Sequence, residues 1–93
     1  MFAFVKEYTS FGSDIDLRSE PPANADAGRV SRFEVVDAGS GGLALRMQEN
    51  NAGVGVDVAL TSLTAGDVQL SPDKILASGT TVAKVRVWWN RKN

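Results

Sequence analysis

Val82-Ala83-Lys84-Val85-Arg86-Val87-Trp88-Trp89 is the stretch that decides the fold. A β-strand points successive side chains to opposite faces. Read as a strand, it presents Ala83, Val85, Val87 and Trp89 to a core. Val82, Lys84, Arg86 and Trp88 take the other face. The same period of two recurs upstream. Phe33 and Val35 alternate with Arg32, Glu34 and Val36. Leu43, Leu45 and Met47 alternate with Ala44, Arg46 and Gln48. Val54, Val56, Val58 and Leu60 alternate with Gly55, Asp57 and Ala59. No stretch repeats apolar residues at the helical spacing over several turns.

Turn residues divide these runs. Ala38-Gly39-Ser40-Gly41-Gly42 and Glu49-Asn50-Asn51-Ala52-Gly53 precede two of them. Thr64-Ala65-Gly66-Asp67, Leu70-Ser71-Pro72-Asp73-Lys74 and Ser78-Gly79-Thr80-Thr81 follow. Such punctuation marks a small antiparallel sandwich or barrel. About seven strands are expected: Phe2–Tyr8, Val30–Val36, Leu43–Gln48, Val54–Leu60, Val68–Leu70, Lys74–Ala77 and Val82–Trp89. Ile15–Leu17 is a short further candidate. The fold class is all-β. A jelly-roll-like sandwich, an Ig-like sandwich and a small barrel remain open.

One segment breaks the pattern. Residues 19–28, from Ser19 through Pro21-Pro22 to Gly28, are polar, Pro-rich and aperiodic, as a loop or extended arm is. They divide an N-terminal strand or arm with its linker, residues 1–28, from a sandwich body, residues 29–93, within one domain. Phe2, Phe4, Tyr8 and Phe11 place four of the chain's aromatics (two Trp, one Tyr, four Phe) in its first eleven residues. Aromatics are costly to leave in water. Either this end joins the core or it docks on a partner. If it is an arm, deleting residues 1–11 leaves the sandwich folded.

The chain has 93 residues, room for one domain. A domain of this size buries roughly 65% of its unfolded surface, so association between copies is expected to add stability. No apolar run is long enough to span a membrane. The N-terminus lacks the basic start and long apolar stretch of a signal peptide. The formal charge of −1 argues against a general nucleic-acid binder. The charges are unevenly spread. Glu7 to Asp26 holds five acidic residues and one basic, Arg18; Lys84, Arg86, Arg91 and Lys92 crowd the C-terminus without an acid. These ends are either ordinary solvated edges or complementary surfaces.

With no His and no Cys, the Ser-His-Asp and Cys-His arrangements and the usual zinc sites are excluded. Gly39-Ser40-Gly41-Gly42 lacks the Lys-Ser/Thr ending of a phosphate loop and opens no helix, so it reads as a hairpin turn. Asp14-Ile15-Asp16 is the one close carboxylate pair. Calcium needs six to eight oxygens, and no further ligand cluster lies near it in sequence. No enzyme, cofactor or metal site is therefore expected.

Trp88 shares the outer face with Lys84 and Arg86. It is a tryptophan packed under Arg86, an interface anchor of the Trp–Arg type, or a sugar-stacking platform. The expected interface residues are Phe2, Phe4, Tyr8, Phe11, Lys84, Arg86, Trp88, Arg91 and Lys92.

A resemblance covers about residues 29 to 89. Its parts are Gly41-Gly42-Leu43-Ala44-Leu45, Val58-Ala59-Leu60, Leu63-Thr64-Ala65-Gly66-Asp67-Val68 and Leu70 to Thr81. Ala77-Ser78-Gly79-Thr80-Thr81 before the last strand is the most specific. The chain resembles the head-spike base and capsid-decoration proteins of tailed phages and gene transfer agents. The resemblance implies a β-sandwich virion protein on the capsid exterior, as a decoration (cement) protein or spike base. It implies a cyclic homo-oligomer, a trimer or pentamer, with the major capsid protein as partner and a fibre protein as a further one. No nucleic-acid or membrane partner is expected. The rival is a carbohydrate-binding β-sandwich module that stacks sugars on Trp88, Tyr8 or Phe11.

Overall fold

The computed structural model describes residues 3–21, 23 and 25–91. Eight strands follow in order: β1 (Ala3–Tyr8), β2 (Ile15–Asp16), β3 (Ala25–Asp37), β4 (Leu43–Met47), β5 (Val56–Leu60), β6 (Gly66–Val68), β7 (Lys74–Leu76) and β8 (Lys84–Arg91). They form two four-stranded antiparallel sheets, ordered β1-β8-β3-β6 and β2-β7-β4-β5.

The ladders explain that order. β1 pairs with β8, β2 with β7, β3 with β6 and β4 with β5. The chain is thus one long hairpin folded back at the β4–β5 turn. Rolling that hairpin adds the ladders β3–β8 and β4–β7 and splits it into two open sheets. This winding is the jelly roll, which settles the choice left open between sandwich types and the barrel. The Cα radius of gyration is 12.5 Å, against about 12.3 Å for a compact domain of this length. The chain is thus as compact as a single domain of its length.

The core lies between the sheets. Val30, Phe33 and Val35 of β3 and Val85, Val87 and Trp89 of β8 face Leu43 and Leu45 of β4 and Ile75 of β7, with Leu17 beside them. Trp89 is fully buried, and its indole Nε1–H donates to the Leu17 carbonyl at 3.2 Å. That bond satisfies the one polar atom of the largest core side chain.

Four expectations are corrected. Ala83 is exposed and Val82 buried. β8 begins only at Lys84, so Ala83 lies in the bend before the strand and the alternation holds from Lys84 onward. Val54 and Val56 are 63% and 55% exposed, although the alternation placed them inward. Val56 opens edge strand β5 and Val54 lies in the loop before it, where no facing strand reaches them. Finally, Ala3–Tyr8 is an integral edge strand, joined to β8 by six register pairs from Ala3↔Asn90 to Tyr8↔Val85. Phe4 and Tyr8 pack against the core from it, as does Phe11 from the following loop. The linker also holds more strand than expected, because β3 begins at Ala25, ahead of Val30.

The Ala77-Ser78-Gly79-Thr80-Thr81 stretch is an internal lock. The Thr81 hydroxyl accepts the Gly42 N–H at 2.9 Å, and the Thr80 hydroxyl accepts the Ala44 N–H at 3.1 Å while donating to the Leu76 carbonyl at 2.6 Å. The Thr81 and Val82 N–H groups return bonds to the Gly42 carbonyl. These threonines replace the missing ladder where β7 has ended and β4 begins. A side chain on Gly42 would meet the Thr81 hydroxyl at 2.6 Å and the Gly79 carbonyl at 2.8 Å. The Gly-rich turn and the Ser-Gly-Thr-Thr stretch are therefore two halves of one contact.

Candidate functional site on the outer face of the first sheet

Register places the outward residues of the β1-β8-β3-β6 sheet in rows. Directly paired residues share a face. Val5 of β1, Trp88 of β8 and Arg32 of β3 form one row. Glu7, Arg86, Glu34 and Asp67 form the next, across all four strands. Lys84 follows on the same face, at the level of Asp37.

Trp88 is half-buried at the centre. The Arg32 guanidinium lies 4.2 Å from its ring centroid and that of Arg86 lies 5.8 Å away, both within cation–π range. Each arginine is fixed by a carboxylate. Arg32 donates to Asp67 through Nε at 3.1 Å and through Nη2 at 2.9 Å. Arg86 donates to Glu7 through Nε at 2.9 Å and again through Nη2, and its Nη1 lies 3.8 Å from Glu34. The Arg86 hydrogen bond, reinforced by its charge, holds the Glu7 carboxyl below its ordinary value. The acidic N-terminal and basic C-terminal segments are thus complementary within the chain at this pair.

Of the expected interface residues, the structure gathers Lys84, Arg86 and Trp88 on this face. Phe4, Tyr8 and Phe11 pack on the core instead. The Tyr8 hydroxyl donates to Glu20 at 3.3 Å, and burial, then the Glu20 charge, push its pKa well up. Arg91 ends β8 with its backbone opposite Ala25. Phe2 and Lys92 lie outside the described residues, and so does the side chain of Arg91. Sequence reasoning missed Arg32, Asp67 and Val5. Arg32 already stood as an outward residue of its strand, but only the β3–β8 register brings it to Trp88.

A shallow groove of about 270 Å³ adjoins the face beyond Arg32. Ser31, Arg32, Asp67, Val68, Gln69, Leu70 and Ser71 line it. Its polar groups are largely committed. Ser31 donates to the Trp88 carbonyl and Ser71 to that of Val30. The Asp14-Ile15-Asp16 carboxylates are also engaged: Asp14 accepts the Ala77 N–H at 2.7 Å and Asp16 accepts the Arg18 N–H at 3.0 Å.

The second sheet carries a charge cluster that the sequence did not reveal. Gln48, at φ 54°, turns the chain out of β4. Glu49 then meets Arg18, Lys74 at 3.1 Å and Arg46 at 3.3 Å, with only 5% of its side chain exposed. It ties together the β2–β3 turn, β4 and β7. The Lys74 hydrogen bond, then that of Arg46, holds its carboxyl below the ordinary value. A depressed folded-state pKa contributes stability that is present above the unfolded value of about 4.3 and lost as pH falls through the folded one. Glu49→Gln should therefore unfold at lower temperature than wild type at neutral pH, and the gap should close in acid. A gap independent of pH in thermal melts would refute this role.

Comparison with protein-family models, with curated proteins and with solved structures finds no match.

Proposed function

We propose that this protein is a non-enzymatic structural subunit of a phage-like particle, seated on the capsid exterior as a decoration protein or as the base of a head spike. It acts by surface burial, as a homo-oligomer that contacts the major capsid protein. The observation that carries this reading is the open outer face of the first sheet. There Trp88 sits between Arg32 and Arg86, beside Val5, which is 47% exposed. Trp and Arg are the residue types that dominate the centres of protein interfaces. Here both arginines are held in place before any partner arrives, which lowers the entropy cost of docking.

The jelly roll itself does not choose the function, since capsid and lectin domains both use it. The groove beside Arg32 is the feature that a second reading, a carbohydrate module, would use. No aromatic side chain lines it, however, and the Arg32 guanidinium occupies a face of the Trp88 ring. A sugar would have to displace that contact. The protein-docking reading needs no such change.

The test is to band particles from cells that make the protein on a density gradient and label them with an antibody against it. Label on the outside of the heads is the expected result. Protein left at the top of the gradient, together with glycan binding that Trp88→Ala abolishes, would replace this reading with the carbohydrate one.

A further inference from the structure

We infer that β5 is a dimerisation edge, pairing antiparallel with β5 of a second copy so that two sandwiches share one eight-stranded sheet. The inference starts from the four sheet edges, β1 and β6 in one sheet, β2 and β5 in the other. An exposed edge strand invites pairing, and proteins usually blunt it by shortness, by charge or by proline. β2 has two residues and β6 three. β1 has six, but Lys6 stands opposite buried Val87 and so carries a charge on the inward side, 3.9 Å from Glu20. An inward charge is one of the devices that disfavours edge pairing.

β5 has none of these devices. It runs Val56-Asp57-Val58-Ala59-Leu60, with no lysine, arginine or proline. Its single charge is neutralised inside its own sheet, since Arg46 donates to Asp57 at 2.7 Å and 3.2 Å. Val56 at its start, and Val54 in the loop just before it, stand more than half exposed.

The strand is complementary to itself, which identifies the occupant as a second copy. In a two-fold antiparallel pair, facing residues share a side of the sheet, so the axis passes through a residue position. An axis at Asp57 would set two carboxylates opposite each other, which is unfavourable. An axis at Val58 sets Val56 against the partner's Leu60, Val58 against its own twin, and Asp57 against the partner's Ala59. That register gathers the apolar row on one side and separates the two charges. Backbone bonds along the strand supply the remaining contact. Such a contact is isologous and closes at two copies.

Sedimentation equilibrium of the full chain, from micromolar to millimolar concentration, tests this. A monomer–dimer equilibrium is expected, and Val56→Lys should weaken it by roughly tenfold or more. Because Val56 is mostly exposed, the unfolding midpoint should stay near that of wild type. A monomer at every concentration overturns the inference, as does association that Val56→Lys leaves intact. So does an odd-numbered assembly broken by that variant, which a two-fold contact cannot build alone. Hydrogen exchange on the wild-type chain gives an answer even if the variant fails to fold. The alternate β5 amides that point away from β4 should exchange more slowly in concentrated than in dilute samples, and equal exchange overturns the pairing.

Discussion

Trp89→Ala should bring the protein close to unfolding. The side chain is fully buried between the sheets. Truncating a buried Trp costs about 3–5 kcal/mol, because packing is lost and a cavity remains. The Leu17 carbonyl also loses its donor at a buried site. A domain of this length has roughly 5–14 kcal/mol of stability in total. Each kcal/mol moves the midpoint of so small a domain by about 4–8 °C. Thermal melts should show a fall of tens of degrees for Trp89→Ala. A fall no larger than that of Trp88→Ala would mean that the faces of β8 are exchanged.

Deleting residues 1–11 should also abolish folding. β1 covers one edge of β8, the strand that carries Val85, Val87 and Trp89. Its removal strips Phe4, Tyr8 and Phe11 from the core, and each partly buried aromatic is worth on the order of 1–2 kcal/mol. It also leaves the β8 ladder open along the sequence from Val85 to Asn90, an apolar edge prone to aggregation. Circular dichroism and near-UV spectra of the truncated chain should show a largely unstructured or aggregated product. A cooperative, native-like melt would restore the view of this segment as a detachable arm.

The alternation in Val85-Arg86-Val87-Trp88-Trp89 is a local signal, and it fixed both the strand and its two faces. The turn clusters are local too, and seven of the expected strands appear within a few residues of their places. Which strand neighbours which is not local. Pro21-Pro22 marked a break in periodicity, but nothing nearby showed that the chain on either side of it would rejoin through β8. The choice between sandwich types depended on the same long-range ladders. Ala83 carries the strand's pattern but lies in a bend, because β8 begins one residue later. Val54 and Val56 carried an inward pattern, yet an edge strand has too few neighbours to bury them. The site was legible in part: Trp88, Arg86 and Lys84 follow from one strand. Arg32 and Asp67 join them only through the β3–β8 and β3–β6 registers, and Glu49 gathers Arg18 and Lys74 from distant parts of the chain beside the nearby Arg46.

Binding of wild type and Trp88→Ala to isolated particle heads, read beside their melting curves, is the most direct measurement of the proposed docking face. Trp88 is half-buried on an open face, so its loss should move the unfolding midpoint far less than that of Trp89. Loss of an interface anchor should weaken binding by about 2 kcal/mol, roughly 30-fold. The expected result is a folded variant that no longer stays on the particle. A Trp88→Ala protein that binds heads as tightly as wild type would contradict the proposal.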